Sequence, residues 1–503
     1  ICDDWQERGL TVDKLRSLLE RSSIQQDGHD LYEHQEKAIE AWYEHGHQGI
    51  LAHCTGAGKT YTSLYMAREL SGQFMRDGYS FVFVVAVPFQ ILGEQWASQI
   101  EEMGFSVIRC WSENPNWDDE LLVALTGAFS GRDSIQQIFI VTVNDTLRSD
   151  RFQELLNKIP ENLLFFVGDE VHRHGSESYR GKIPAARMKL GLSATPWASS
   201  ESEREVLLKE FYGPVIDEFG MKEALEGHVL CPYSYAVAIT PLSYDEAEYY
   251  AKETREIAKI LAGGLEHLSY SQKKELSYHY RIRSGILGTC KAKFTWLEKE
   301  TSVRVHPRTL FYCSDGKSER LESDGADQRA ILAVGEIVGR NGWKVAKITA
   351  EESAKKRRIN LYEFANTSID AILAIKVLDE GFDLPSCERA YLLASSKNER
   401  QFIQRRGRVL RHSPATGKTN AELFDFLVVP PEGDFGEPWA INLVESELIR
   451  CYEFARFAIN RDQCLEVLLS IARQSGIDFS QIERKVDQRN YSDEIEVDVE
   501  VEA

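Results

Sequence analysis

Three absences narrow the field before any motif is considered. No apolar run approaches the roughly eighteen uninterrupted residues that a membrane-spanning helix needs. None of the nine cysteines, at 2, 54, 110, 231, 290, 313, 387, 451 and 464, stands at Cys-x-x-Cys spacing. That pattern argues against a zinc ribbon or an iron–sulfur cluster, and an odd count without a framework is expected of reduced thiols in a cytoplasmic compartment. A positive balance is missing too: 59 Lys and Arg face 79 Asp and Glu, for a net charge of -20. Whole-surface attraction to a polyanion is thereby excluded. A local basic groove is not, because phosphate contacts need only a few well-placed cations. The chain starts Ile1-Cys2-Asp3-Asp4, with neither an initiator Met nor a signal-peptide pattern, and is expected to be a fragment with more chain upstream.

What is present is ordinary in bulk. Hydrophobic content of 43% and charged content of 27% are those of a globular protein. The 503 residues are enough for about two to four domains, each with its own core.

The rest of the chain is organised around one stretch. An apolar run over 50–52 stops at His53-Cys54-Thr55-Gly56-Ala57-Gly58-Lys59-Thr60, and a helical pattern follows. Strand, glycine loop and helix are the context in which a phosphate-binding loop makes physical sense. Gly56 and Gly58 let the backbone curl so that the N–H groups from Thr55 through Ala57 to Thr60 turn toward one phosphate chain. The start of the helix adds its partial positive charge. Lys59 would neutralise the β and γ oxygens, and the Thr60 hydroxyl would hold Mg2+. His53 stands where the general pattern has a glycine. Upstream, Gln35 and the aromatic Tyr32 are placed to grip the edge and face of an adenine.

Downstream, apolar runs over 81–87, 138–143, 163–168 and 188–192 each end in a polar signature. Strands that alternate with helices in this way describe a parallel α/β sheet with ligands at its carboxyl edge. The third run ends in Asp169-Glu170, the chemistry that complements Lys59. Asp169 would supply the carboxylate for the nucleotide's metal, and Glu170 would polarise the attacking water.

Gln35, the loop over 53–60, Asp169-Glu170-Val171-His172 and Ser193-Ala194-Thr195-Pro196 together resemble the first motor domain of superfamily 2 helicases. The second half agrees. The stretch 308–314 resembles the first strand of a second RecA-like domain, 371–385 resembles motif V, and 401–411 resembles the arginine-finger motif VI. The signatures stand in the family's order across about residues 31–430, and their flavour is that of the excision-repair and type I and III restriction motors.

The resemblance implies tandem RecA-like α/β domains, with a helical leader over 1–30, a first domain over 31–228 and a second over 301–435. A helical linker over 229–300 and a helical extension with an acidic tail over 436–503 complete the expected organisation. It implies ATP and Mg2+ as cofactors, with Gly381 and Asp383 of motif V beside the nucleotide. Gln404, Arg408 and Arg411 of motif VI would act in hydrolysis, the two arginines reaching the γ-phosphate from one face of a helix. Strand-end loops around Pro88, Thr142, Ser314, Thr349 and Asp379 would hold a nucleic-acid backbone, most naturally DNA. Two alternatives stay open: a nucleic-acid-activated ATPase switch, and a motor subunit that needs a nuclease or methylase partner. No nuclease motif stands out, since Asp478, Glu483 and Lys485 are too tightly spaced.

Overall fold

The computed structural model describes residues 31–129, 135–196, 203–264, 267–314, 330–349, 352–375, 384–394 and 407–487. The expected leader over 1–30, most of motif V, the front of motif VI and the acidic tail lie outside these residues. Contacts divide the chain into two compact units, the first including Gly58–Pro196 and Glu203–Phe219 and the second including the described residues from Gly220 onward.

The first unit is built on seven parallel strands: β1 (Gln48–His53), β2 (Phe81–Val87), β3 (Val107–Cys110), β4 (Gln137–Val143), β5 (Leu164–Asp169), β6 (Met188–Ser193) and β7 (Val215–Phe219). Their order across the sheet is β3-β4-β2-β5-β6-β1-β7. All seven residues of β2, Phe-Val-Phe-Val-Val-Ala-Val, are buried. Such an unbroken apolar run is what a central parallel strand needs, because helices cover both its faces. Helices α1 (Glu33–Glu44), α2 (Lys59–Arg76) and α3 (Gln90–Glu102) supply part of that cover. Ala38, Trp42, Leu64, Leu70 and Trp96 from them join Phe83, Val85, Phe165 and Val167 in one core. Further along the chain come α4 (Trp117–Phe129), α5 (Asn144–Arg148), α6 (Asp150–Leu156) and α7 (Glu203–Tyr212), followed by α8 (Met221–Glu226), which belongs to the second unit.

The second unit holds six parallel strands: β8 (Tyr233–Pro241), β9 (Thr309–Tyr312), β10 (Val345–Ile348), β11 (Ala371–Ala374), β12 (Arg389–Leu392) and β13 (Ala421–Val429). They run in the order β10-β11-β9-β12-β13-β8. The expected pair of parallel α/β sheets is therefore present, but the stretch over 229–300 is not one linker. Its first strand, β8, pairs with β13 along its whole length, from Tyr233 opposite Ala421 to Pro241 opposite Val429. Helix α9 (Tyr244–Leu261) and helix α10 (Tyr270–Gly288) pair as a hairpin around Ile257, Leu268 and Leu276. The next helix, α11 (Lys291–Val303), sends Leu297 into the core of the second sheet. Only the hairpin is thus an addition to the sheet unit.

Helices α12 (Ala330–Arg340), α13 (Ala354–Ala365), α14 (Pro438–Ala455), α15 (Arg461–Gln474) and α16 (Phe479–Asp487) complete the described chain. Leu443 of α14 packs on Val428 of β13 and on Tyr250 of the hairpin, so the helical extension covers the sheet. A buried charge network joins the two: Arg450 pairs with Asp425 and, at 2.8 Å, with Glu447. Lys293, fully buried nearby, donates from Nζ to the Leu393 carbonyl at 2.8 Å. Burial pushes its pKa down to about 8.

Candidate functional site

At the glycine loop over 53–60 the chain leaves β1, turns through Thr55, Gly56 and Ala57, and enters α2 at Lys59. The Ala57 N–H closes the turn on the Cys54 carbonyl at 3.2 Å. Gly56 at φ 93° and Gly58 at φ 80° lie in the left-handed region, where a β-carbon is strained. At Gly58 there is a second reason. A β-carbon would stand 2.5 Å from Gln35 Nε2, which donates to the Gly58 carbonyl at 3.3 Å. Gln35 also caps its own helix, accepting the Tyr32 N–H at 3.0 Å through Oε1. The residue expected to meet an adenine is thus found bracing the glycine loop.

His53 resolves the departure from the glycine pattern. It is the last residue of β1 and has no positive φ, so a glycine is not required there. Its fully buried ring places Nε2 2.5 Å from Asp217 Oδ2 on β7, and His34 stacks on Phe219 beside it at 3.9 Å. Burial lowers the imidazole's pKa, with Asp217 opposing that shift. Its carbonyl accepts the Lys59 ammonium at 2.8 Å, which holds the Lys59 side chain back along the loop.

Across the sheet, Leu192 of β6 pairs with Leu51 on one side and with Asp169 on the other. The acidic end of β5 thus lies two strand spacings, about 10 Å, from the strand that carries the loop. Both Asp169 oxygens are engaged: Oδ2 accepts Trp96 Nε1–H at 2.9 Å and Oδ1 accepts the Glu170 N–H at 2.9 Å. Burial, and then the Glu170 charge, raise the Asp169 pKa to about 6, while Trp96 and Lys59 pull it down. Two adjacent carboxylates of which one is buried form a hard oxygen donor set, and a divalent cation relieves their mutual repulsion.

Glu170 sits at φ 51°, an uncommon conformation for a residue with a β-carbon and one typical of functional turns. A single 3₁₀ turn, Val171–His174, follows it. Glu170 Oε2 lies 3.3 Å from His172 Nδ1, and the same nitrogen lies 3.3 Å from Ser193 Oγ. Ser193 Oγ accepts the Thr195 N–H at 3.2 Å, so the Asp-Glu-Val-His and Ser-Ala-Thr signatures are physically joined. Thr60 lies in the first turn of α2, beside Lys59.

The remaining expected residues are more dispersed. Gly381, Asp383, Asp379 and Gln404 lie outside the described residues. Arg408 is helical, but the helix stops at Val409, and Arg411 forms an antiparallel bridge with Leu230. The two arginines accordingly do not share one helix face, because the chain at 410–411 is drawn into β-type pairing; the Leu410 carbonyl accepts Cys231 N–H at 2.7 Å. Thr142 is completely buried, its hydroxyl turned onto the Cys110 and Val143 carbonyls at 3.4 and 3.3 Å. Ser314 packs against Gly288, where a β-carbon would come within 2.4 Å of it. Thr349 is held by Glu352, hydroxyl to carboxylate at 2.7 Å. Pro88 follows β2 at a partly exposed bend. Trp96 and Asp217 carried no local signal of their role, since each acts on a residue far away in sequence.

Residues 28–198 match the family of the type III restriction enzyme res subunit, and residues 292–413 match the helicase conserved C-terminal domain. Over 389 residues the chain is 24% identical to the DNA 3'-5' translocase XPB2 of Sulfurisphaera tokodaii, covering 76% of this chain and 79% of the relative. A Rad25-type relative from Haloarcula marismortui is 23% identical over 427 residues, 81% of this chain and 57% of that protein. Among solved structures, the ATP-dependent Type ISP restriction-modification enzyme LlaBIII bound to DNA shares the fold, with a TM-score of 0.55 and 16% identity. That alignment covers 92% of this chain but only 33% of the larger enzyme. No helix among the described residues is long and apolar enough to cross a membrane.

Proposed function

We propose, from the premise that this chain belongs to superfamily 2 of the helicases and hydrolyses ATP, that it is a DNA-dependent translocase or helicase. The observation that carries the reading is the pairing of the Gly58-Lys59-Thr60 loop with a buried Asp169 and a strained Glu170 at the same edge of one sheet. The likeness to a DNA 3'-5' translocase over most of both chains supports DNA as the polymer.

The residues have separable tasks. Lys59 would leave the His53 carbonyl to neutralise the phosphate chain, and the loop's N–H groups would orient it. Gln35 keeps a second amide hydrogen and a second lone pair for the base edge. Asp169 and the Thr60 hydroxyl would hold Mg2+, and the ion would supply charge neutralisation of the phosphate oxygens when bound. Glu170 would align and polarise water, held in direction by its turn and by His172. Arg408 and Arg411 are assigned to the same hydrolysis as motif VI residues, and Pro88, Ser314 and Thr349 to the polymer backbone.

The test is ATP turnover measured in parallel without polymer and with single-stranded DNA, duplex DNA and RNA. Stimulation by DNA above RNA is expected, and no stimulation by any polymer would refute the reading. A triplex-displacement assay then separates translocation from a static ATPase switch. A second reading, a motor that works inside a larger restriction assembly, draws on the one-third share of the Type ISP enzyme that the chain matches. Recovery of a nuclease or methylase with the protein from its native source would favour it.

A further inference from the structure

Behind the candidate site lies a buried polar chain that no role above uses. His174 ends the 3₁₀ turn that begins after Glu170, and its ring is fully buried. Its Nδ1 lies 2.7 Å from the Tyr212 hydroxyl, and its Nε2 lies 2.9 Å from Asn144 Oδ1. Burial pushes the imidazole's pKa down to about 3, so the ring is neutral and carries one proton. An amide oxygen only accepts, which puts that proton on Nε2 and makes Tyr212 the donor to Nδ1. Every hydrogen-bonding atom of the ring is thereby used, and its orientation is fixed from both sides.

The two anchors differ in kind. Tyr212, at the end of α7, lies flat under the site: a β-carbon on Gly168 would stand 2.3 Å from its hydroxyl, and one on Gly191 3.3 Å from its ring. It is a closely packed floor beneath the ends of β5 and β6. Asn144 is the first residue of α5, directly after β4. Its side chain is turned inward onto His174, while the same short helix presents Asp145 to solvent and sends Arg148 over the Tyr179 ring at 5.4 Å. Tyr179 in turn packs on the His174 ring at 4.7 Å. The α5 turn therefore touches His174 twice, once directly and once through Tyr179.

We infer that His174 is a positioning residue that ties the alignment of Glu170 to the position of the α5 turn. Only one helical turn, closed by Arg173 N–H on the Glu170 carbonyl at 3.0 Å, separates the two residues. Because Tyr212 is packed against Gly168 and Gly191, a shift of Asn144 would be taken up by rotation of that turn, and with it of Glu170. The α5 turn stands at the carboxyl edge of a parallel sheet, where ligands bind. A polymer that settles on that edge would then set the water-polarising carboxylate without touching it. This rests on the DNA-dependent reading above.

The experiment compares the full chain with Asn144→Ala, Tyr212→Phe, His174→Leu and His174→Gln. Turnover with and without mixed-sequence single-stranded and duplex DNA oligonucleotides is measured, together with the ATP KM, polymer affinity by anisotropy, and the thermal midpoint. The ratio of stimulated to unstimulated turnover is expected to fall about 10-fold in Asn144→Ala and His174→Leu, within the usual size of a coupling between sites. In Asn144→Ala, unstimulated turnover, KM and polymer affinity should stay within about threefold, under that coupling. His174→Gln keeps one donor and one acceptor and should restore most of the ratio. If His174→Leu does not fold, Asn144→Ala and Tyr212→Phe carry the same test. A retained ratio in Asn144→Ala overturns the inference, as does a loss matched by weaker polymer affinity or by lower unstimulated turnover. A wild-type protein that no polymer stimulates removes the functional reading and this one with it, whereas stimulated wild type with unaffected variants removes only this one.

Discussion

Trp96→Phe offers a sharp probe of how the acidic end of β5 is held. The indole N–H and Asp169 Oδ2 meet at 2.9 Å, with Trp96 fully buried and Asp169 6% exposed, so water cannot replace either partner. Phenylalanine keeps an aromatic ring against Phe83 but removes the donor. A hydrogen bond to a buried charge contributes about 1.5–3 kcal/mol, so the variant should lose at least that much, plus a smaller packing term. In a unit of this size the thermal midpoint would fall by about 3–12 °C. The packing term cancels in a double-mutant cycle with Asp169→Asn, whose neutral oxygen still accepts a weaker bond of about 0.5–1.5 kcal/mol. The difference predicts a coupling of about 1 kcal/mol between the two positions, read by calorimetry. Function should follow, because Trp96 orients the carboxylate assigned to the metal. The magnesium concentration for half-maximal ATP turnover should rise about 10- to 100-fold, as when an outer partner of a metal ligand is lost. Stability effects additive within about 0.5 kcal/mol, with unchanged magnesium dependence, would refute the argument that the indole holds Asp169 as a charged ligand.

Lys59→Ala should reduce ATP turnover about 10²–10³-fold with the circular dichroism spectrum unchanged, since it removes the cation facing the developing charge; unaltered turnover would end the phosphate-loop assignment. Glu170→Gln should still bind a fluorescent ATP analogue while hydrolysis falls roughly 10²-fold or more, and loss of binding would make Glu170 structural instead. Gly168→Ala should destabilise by about 1–3 kcal/mol through overpacking, because its β-carbon meets Tyr212 at 2.3 Å and Val171 at 2.7 Å; Tyr212→Phe, which removes the nearest atom, should recover part of the lost thermal midpoint. Lys293 has a folded pKa near 8 against 10.5 in the unfolded chain, so between those values the unfolded state binds more protons and stability rises with pH. Urea unfolding of wild type and Lys293→Met across that window should show the rise in the first and a flatter profile in the second.

Much of the fold and the centre of the candidate site were legible in the residues alone. The loop over 53–60 and the pair Asp169-Glu170 could be read because their chemistry is local. Positive φ at Gly56 and Gly58, the start of α2 at Lys59 and the strand that ends at Asp169 are all set by neighbours in the chain. The two parallel sheets were legible for a similar reason: strands such as β2, apolar throughout, have to be covered on both faces.

Packing decided the rest. Trp96 reaches Asp169 across 73 residues and His53 reaches Asp217 across 164, and no periodicity encodes such a meeting. Strand β8 belongs to the second sheet because it finds a full-length partner in β13, although the sequence around it reads as a linker. Arg411 leaves the motif VI helix because Leu230 offers its backbone a different partner. The neutral, doubly anchored His174 depends on Asn144 and Tyr212 arriving from two other elements. Local backbone preference and burial pattern act along the chain and so can be read from it. Register, side-chain pairing over long separations and the desolvation that shifts Asp169 and Lys293 exist only once the sheets are covered.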